Sequence, residues 1–441
     1  MTDFRMSVRA ALLAGTALVF TSGTALADGP PVADRVAALE AMVRELQSEL
    51  AAHRATSTQS LERVEQSVQQ VQAARPATAE EGFLVGDTRV KLGGFFDMDA
   101  HITDFSSGEL ASNSIGRDFY VPGVTPVGGI GEDPNADFTA EATRVTLSAA
   151  RKSGDLDVKA YLELDFLGSL QGDERITNSY APRLRRAYGQ VGNYLFGQEW
   201  TTFQNLSAIP ESASFLAVGE GMVFVMQPQL RWTNGAWQIA LENPGTVATD
   251  TNGSRVEADD SIVPDLVVRR NFTGPFGNVS LSGVLRQLKF ERTGINADTM
   301  AFGVNLAGNV KVGERDNVLF SLSHGEGLGR YVTLNTFNDA IVVGRELEAL
   351  PLTSALLAYR HPLSGSTRLS AGVGYATADY DAAWLAPPTS TETVGSVFAA
   401  LLWDIAPKVN VGVELMHATR ETLNGLEGDM TRFTFSTKYL Y

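Results

Sequence analysis

From Thr88 to the C-terminus, apolar and polar residues alternate with a period of two. In TRVKLGGFFDMDAHI, residues Val90, Leu92, Phe96, Met98, Ala100 and Ile102 fall on one face. Lys91, Asp97, Asp99 and His101 fall on the other. Such alternation predicts β-strands whose two faces meet different surroundings. It recurs along the chain and predicts sixteen strands, at 88–103, 142–152, 154–167, 181–192, 194–203, 223–234, 236–243, 262–273, 276–291, 297–311, 315–326, 353–363, 366–381, 394–405, 409–422 and 429–441. Ahead of them the period changes. Val36, Leu39, Val43, Leu46 and Leu50 are spaced three and four apart, and the pattern resumes at Leu61, Val64, Val68 and Val71. This predicts a coiled coil over 32–73 with a stutter where the supercoil unwinds. One amphipathic helix packed on a globular core is the alternative, but the apolar face is narrow and the rest is polar. Residues 74–87, with Pro76, read as a linker.

The connections between strands are sorted by length. Every second one is turn-like: 152–155, 192–193, 234–235, 273–278, 313–317, 361–366 and 406–410. The others are long (104–141, 168–180, 204–222, 244–261, 327–352, 382–393 and 423–428), except for 292–296. A soluble sandwich has no reason to sort its loops, whereas an outer-membrane barrel carries short periplasmic turns and long extracellular loops. Closing the sheet satisfies every backbone hydrogen bond, as a bilayer demands. The predicted fold class is therefore all-β: a 16-stranded antiparallel transmembrane β-barrel over 88–441, preceded by the α-helical coiled coil.

The N-terminus agrees with export. Arg5 and Arg9 precede the apolar run ALLAGTALVF at 11–20, and ALA at 25–27 offers small residues for cleavage. This predicts a signal peptide over 1–27. The run is too short for a spanning helix. The expected location is the bacterial outer membrane, with the coiled coil in the periplasm. The chain of 441 residues has a formal charge of −16 and no cysteine. Thiolate metal sites and disulfides are thereby excluded, and nucleic acid is disfavoured as a partner. The five histidines are scattered, and neither a nucleophile elbow nor an H-E-x-x-H motif occurs. The sequence points to no enzyme, no cofactor and no metal.

Sixteen strands leave an aqueous channel. Charges at its narrowest point then set selectivity. Strand parity places Arg144, Arg186, Arg231, Arg269, Arg286, Arg368 and Arg420 inside. Arg183 and Arg185 share the outward parity of the fourth strand, unless a bulge turns them inward. Guanidinium groups suit the attraction of carboxylates because they pair bidentately and stay charged. The competing reading is that these arginines simply pair with lumenal Asp and Glu. Folded inward, the connection 204–222 would narrow the pore, with Glu211 and Glu220 facing the basic strands; an ordinary surface loop is the alternative. At the C-terminus Phe433, Phe435, Tyr439 and Tyr441 share one face and resemble the signal read by the outer-membrane insertion machinery.

The motifs VKLGGFFDMDA at 90–100 and RLRRAYGQVGNYLFGQEWTTF at 183–203, behind an exported coiled coil, resemble the DcaP-like porins. That resemblance implies a homotrimer of sixteen-stranded barrels taking up small anionic organic solutes such as dicarboxylates and aromatic acids. It directs attention to Arg144, Arg183, Arg185 and Arg186. The alternatives within reach are a porin of other selectivity, or an envelope tether acting through its coiled coil.

Overall fold

The structure, a computed structural model, describes residues 82–168, 178–258, 260–292 and 294–441, together with Ala41, Arg44, Gln47 and Ser48. The signal segment 1–27, the coiled coil over 32–73 (those four helical residues apart) and the first part of the linker lie outside the described residues.

Sixteen antiparallel strands close into a barrel: β1 (Thr88–Phe105), β2 (Arg144–Ser153), β3 (Leu156–Asp165), β4 (Arg183–Val191), β5 (Tyr194–Trp200), β6 (Met226–Asn234), β7 (Trp237–Glu242), β8 (Asp265–Gly274), β9 (Gly277–Arg292), β10 (Ile295–Val312), β11 (Asp316–Glu326), β12 (Pro351–Pro362), β13 (Thr367–Ala378), β14 (Thr391–Ala406), β15 (Val409–Thr422) and β16 (Glu427–Leu440). Each predicted strand has its counterpart. Closure is made by β1 and β16, paired from Phe95↔Leu440 to Phe105↔Met430. The turn-like connections gather at one end and the long ones at the other. The connection 423–426 is tighter than expected and leaves only four residues between Thr422 and Glu427.

Alternation fixes the two faces. On β1, Leu92, Phe96, Met98 and Ile102 are exposed outward, while Asp97, Asp99, His101 and Thr103 are buried inside. At the seam, Phe96 stacks on Tyr439 with centroids 6.5 Å apart, and Tyr441 lies 5.1 Å from the same ring. The Tyr441 hydroxyl donates to the Arg144 carbonyl at 3.2 Å. The C-terminal aromatics thus lie along the outside of the closing strand pair.

The long connections fold into and over the barrel. Residues 201–225 cross the lumen, and Ala213, Leu216, Ala217, Val218 and Met222 pack on Leu319, Leu356, Phe398, Leu402 and Met416 of the far wall. Leu328, Tyr331, Val332 and Phe337 pack with Phe203, Val223, Val267 and Val284 in a second apolar cluster. Two hairpins that the sequence reading left as loops make a four-stranded sheet at the long-loop end. Its strands are Thr246–Thr249, Arg255–Ala258, Ala340–Val343 and Glu346–Ala349. Phe83–Val85, assigned to the linker by sequence, pairs with Thr88–Val90.

An arginine wall and an inward loop

Along most of β4 the inward residues alternate, but the ladder with β3 shifts at one point. Glu163 pairs with Arg186 and Leu164 with Leu184, leaving Arg185 as an extra residue. The extra residue re-aims its neighbours. Leu184 faces outward at 47 % exposure, and all three arginines turn inside. Strict parity had put Arg183 and Arg185 outside, so the bulge is what prevails.

Carboxylates from the flanking strands hold these arginines. Arg183 grips Asp165 with both Nε and Nη2 at 2.8 Å. Arg185 donates to Glu163 at 2.7 Å and Asp165 at 3.0 Å. Arg186 grips Glu199 with bonds of 2.6 and 2.7 Å and reaches Glu163 at 3.2 Å. Arg144 sits 3.6 Å from Glu163. Planar forks of this kind fix a guanidinium more tightly than a point charge would. The acids come from β3 and β5: Glu163 and Asp165 lie on the face of the third strand that alternation turns to water, whereas Glu199 was not anticipated.

The two signs are not equally exposed. Arg144, Arg183 and Arg186 keep 21, 32 and 19 % of their side chains exposed, against 4, 0 and 7 % for Glu163, Asp165 and Glu199. Water in the lumen therefore meets guanidinium surface with carboxylates behind it. Arg185 is different. At 2 % exposure it lies between Trp200 and Phe215, with its guanidinium carbon 5.8 and 5.6 Å from their ring centroids. It ties the loop to the wall rather than meeting solutes.

Other expected residues fall elsewhere. Arg286 is fully buried, bonded to Asp265 at 3.1 Å, to Asp339 at 2.7 Å and to the Gly327 and Gly245 carbonyls. It roots the four-stranded sheet and does not line a pore, because every face of its guanidinium is enclosed. Arg420 donates to Thr391 and to the Thr125 carbonyl, both at 2.9 Å. Arg231 and Arg269 lie under the loop, donating to the carbonyls of Trp200 and Gln204.

The loop's carboxylates turn away from the arginine wall, contrary to the sequence expectation. Glu211 pairs with Arg360 at 2.8 Å and Arg368 at 2.9 Å, on β12 and β13. Glu220 is fully buried, accepting from the hydroxyls of Tyr120 and Ser396. Burial without a cation beside it pushes its carboxyl above the ordinary carboxylate range. From the wall, Glu414 accepts from Ser212 at 2.6 Å and Ser214 at 2.9 Å. Both ends of the loop's central stretch are thereby moored to β14 and β15. Arg360 was missed although its parity within 353–363 would have placed it inside.

A closed sixteen-stranded barrel with an apolar outer surface and a loop folded into its lumen is the architecture of a porin-type channel of the bacterial outer membrane. The sequence profile of the DcaP outer membrane protein family matches residues 76–441, and the chain belongs to that family. Among solved structures it is similar to the outer membrane channel DcaP of Acinetobacter baumannii, at 19 % identity and a TM-score of 0.69, covering 82 % of this chain and all of that one. It is also similar to an anion-selective porin from Comamonas acidovorans, at 12 % identity and a TM-score of 0.51, covering 80 % of this chain and all of that one. OmpF of Salmonella typhi follows at 8 % identity and a TM-score of 0.50, covering 80 % of this chain and 98 % of that one. No curated protein sequence matches the chain. Members of this fold and family are channels rather than enzymes.

Proposed function

We propose that this protein is a homotrimeric diffusion porin preferring small anionic organic solutes, with no covalent chemistry. The observation that carries the reading is the exposure contrast on the arginine wall. Arg144, Arg183 and Arg186 present guanidinium to water, while Glu163, Asp165 and Glu199 stay behind them. The carboxylates orient the cations and, being covered, act on a passing ion from further away. In a narrow lumen with low-dielectric walls such a surface raises the local anion concentration. Trimerisation rests on the family resemblance, with the coiled coil over 32–73 as an added contact and residues 1–27 as a cleaved export signal.

Planar-bilayer recordings of the purified channel under a potassium chloride gradient test the selectivity. The reversal potential should take the sign set by chloride; a sign set by potassium would refute the anion preference. Crosslinking in detergent should give a trimer.

A further inference from the structure

We propose that the cavity beneath the inward loop is a binding site for a small organic carboxylate, open to the short-turn end of the barrel. The proposal deepens the reading of an anion-preferring porin and rests on it. The cavity has a volume of ≈ 540 Å³, within the range of small-molecule sites. Thr273 and Asn278, which flank one of the short turns, line it, and its roof is the chain from Trp200 to Ser207.

Its charge is one-sided. The charged side chains lining it are Glu199, Arg231 and Arg269. Glu199 has both oxygens occupied by Arg186, as described above. Arg231 bonds Gln229 Oε1 at 2.9 Å and the Trp200 carbonyl at 2.6 Å. Arg269 donates Nη1 to the Gln204 carbonyl, and its buried Nε has no partner among the described residues. Carbonyl contacts orient these two cations; Glu199 and Glu242 act on Arg231 from a distance, without an ion pair. No ion pair joins either to a carboxylate among the described residues.

The ladder explains why they converge. Arg231 on β6 pairs with Ala240, and Arg269 on β8 pairs with Gln238, so only β7 separates them. With the two-residue offset along β7, their backbones are about 12 Å apart, within reach of two long side chains. Both long side chains lean under the same turn of the loop, and the carbonyls they hold belong to Trp200 and Gln204. A planar two-oxygen acceptor suits such forks better than a spherical ion does. Trp200 and Leu206 offer apolar surface for a carbon skeleton, which favours an organic acid over inorganic phosphate.

The test uses the full channel in a planar bilayer, with a single oriented channel in potassium chloride. Sodium propionate added at the short-turn side should lower the conductance saturably, with half-block at least threefold lower in concentration than from the other side. Propionamide, nearly isosteric but neutral, should leave the conductance unchanged, and phosphate should block at least threefold more weakly than propionate. The double variant R231Q/R269Q should lose the saturable block while still forming open channels of measurable conductance. Block that persists in this variant, or that is equal from both sides, overturns the site. Should R231Q/R269Q fail to assemble, R231K/R269K keeps the charges and loses the forks; half-block about tenfold weaker is expected, and unchanged block overturns the proposal. An anion-preferring wild type without propionate block sinks the site alone. A cation-preferring wild type that still shows the sided block sinks the broader reading instead.

Discussion

Replacing Arg186 by glutamine removes one exposed positive charge and also frees Glu199 from its two bonds of 2.6 and 2.7 Å. Glu163 remains held by Arg185 at 2.7 Å, so the perturbation is confined to one unit of charge beside the lumen. For an ion passing about 10 Å away in water, one unit of charge is worth about 0.4 kcal/mol. At 10 mM salt the Debye length is about 30 Å, which leaves about 0.3 kcal/mol; at 1 M it is about 3 Å, which leaves almost nothing. The change acts with opposite sign on anion and cation, so about 0.6 kcal/mol separates them, close to RT. The cation-to-anion permeability ratio of R186Q should therefore rise about threefold at 10 mM and stay level at 1 M. E199Q, which removes the covered carboxylate and leaves Arg186 less compensated, should move the ratio the other way by a smaller factor, because Glu199 lies behind the guanidinium. The assay is the reversal potential in bilayers at both salt concentrations, on protein whose barrel is confirmed by heat-modifiable gel migration. A folded R186Q with an unshifted ratio at low salt, or R186Q and E199Q shifting in the same direction, would refute the reasoning.

Three further expectations concern stability. R286A leaves Asp265 and Asp339 buried without their guanidinium and should cost about 3–5 kcal/mol, read as a lower urea midpoint; a wild-type midpoint would contradict the role given to this residue. At Gly197, φ is +123° and an added Cβ would lie 2.4 Å from the Ala187 carbonyl oxygen, so G197A should reduce the yield of heat-modifiable barrel; full yield would show that β4 and β5 tolerate the side chain. The raised carboxyl of Glu220 adds stability that is fully present below the unfolded carboxylate range and is lost as pH rises through the folded value. The midpoint of E220Q should therefore gain on wild type from pH 5 to pH 9, and parallel curves would count against this account.

The barrel was legible because each strand separates water from lipid, so period two is written without interruption along almost every one. The inside and outside of β1 could be read directly from Met98 and Asp99. The four-stranded sheet was not legible by the same rule, since its strands have four residues each and pack on other loops. Asn252-Gly253, a turn signature with Gly253 at φ 80°, was the available signal there. The site was half legible. Parity found Arg144 and Arg186, but it could not say that Arg286 is enclosed or that Glu220 reaches Tyr120, because those partners come from other segments, 21 to 53 residues away for Arg286 and 100 away for Glu220. The mooring of the loop by Glu414 lay beyond reach for the same reason: its partners Ser212 and Ser214 are 202 and 200 residues away.

The bulge at Arg185 bears on how relatives of this chain should be compared. In the fourth strand the four letters RLRR spell in, out, in, in. Removing Arg185 would restore strict alternation and still leave Leu184 facing lipid and Arg183 facing water. A gap of one residue at this point is thus a silent insertion in the code of faces. An alignment that forbids the gap would assign every residue from Arg183 to Arg185 to the wrong side of the wall. Spacing, more than residue identity, has to be tracked there when charged positions are transferred from one barrel to another.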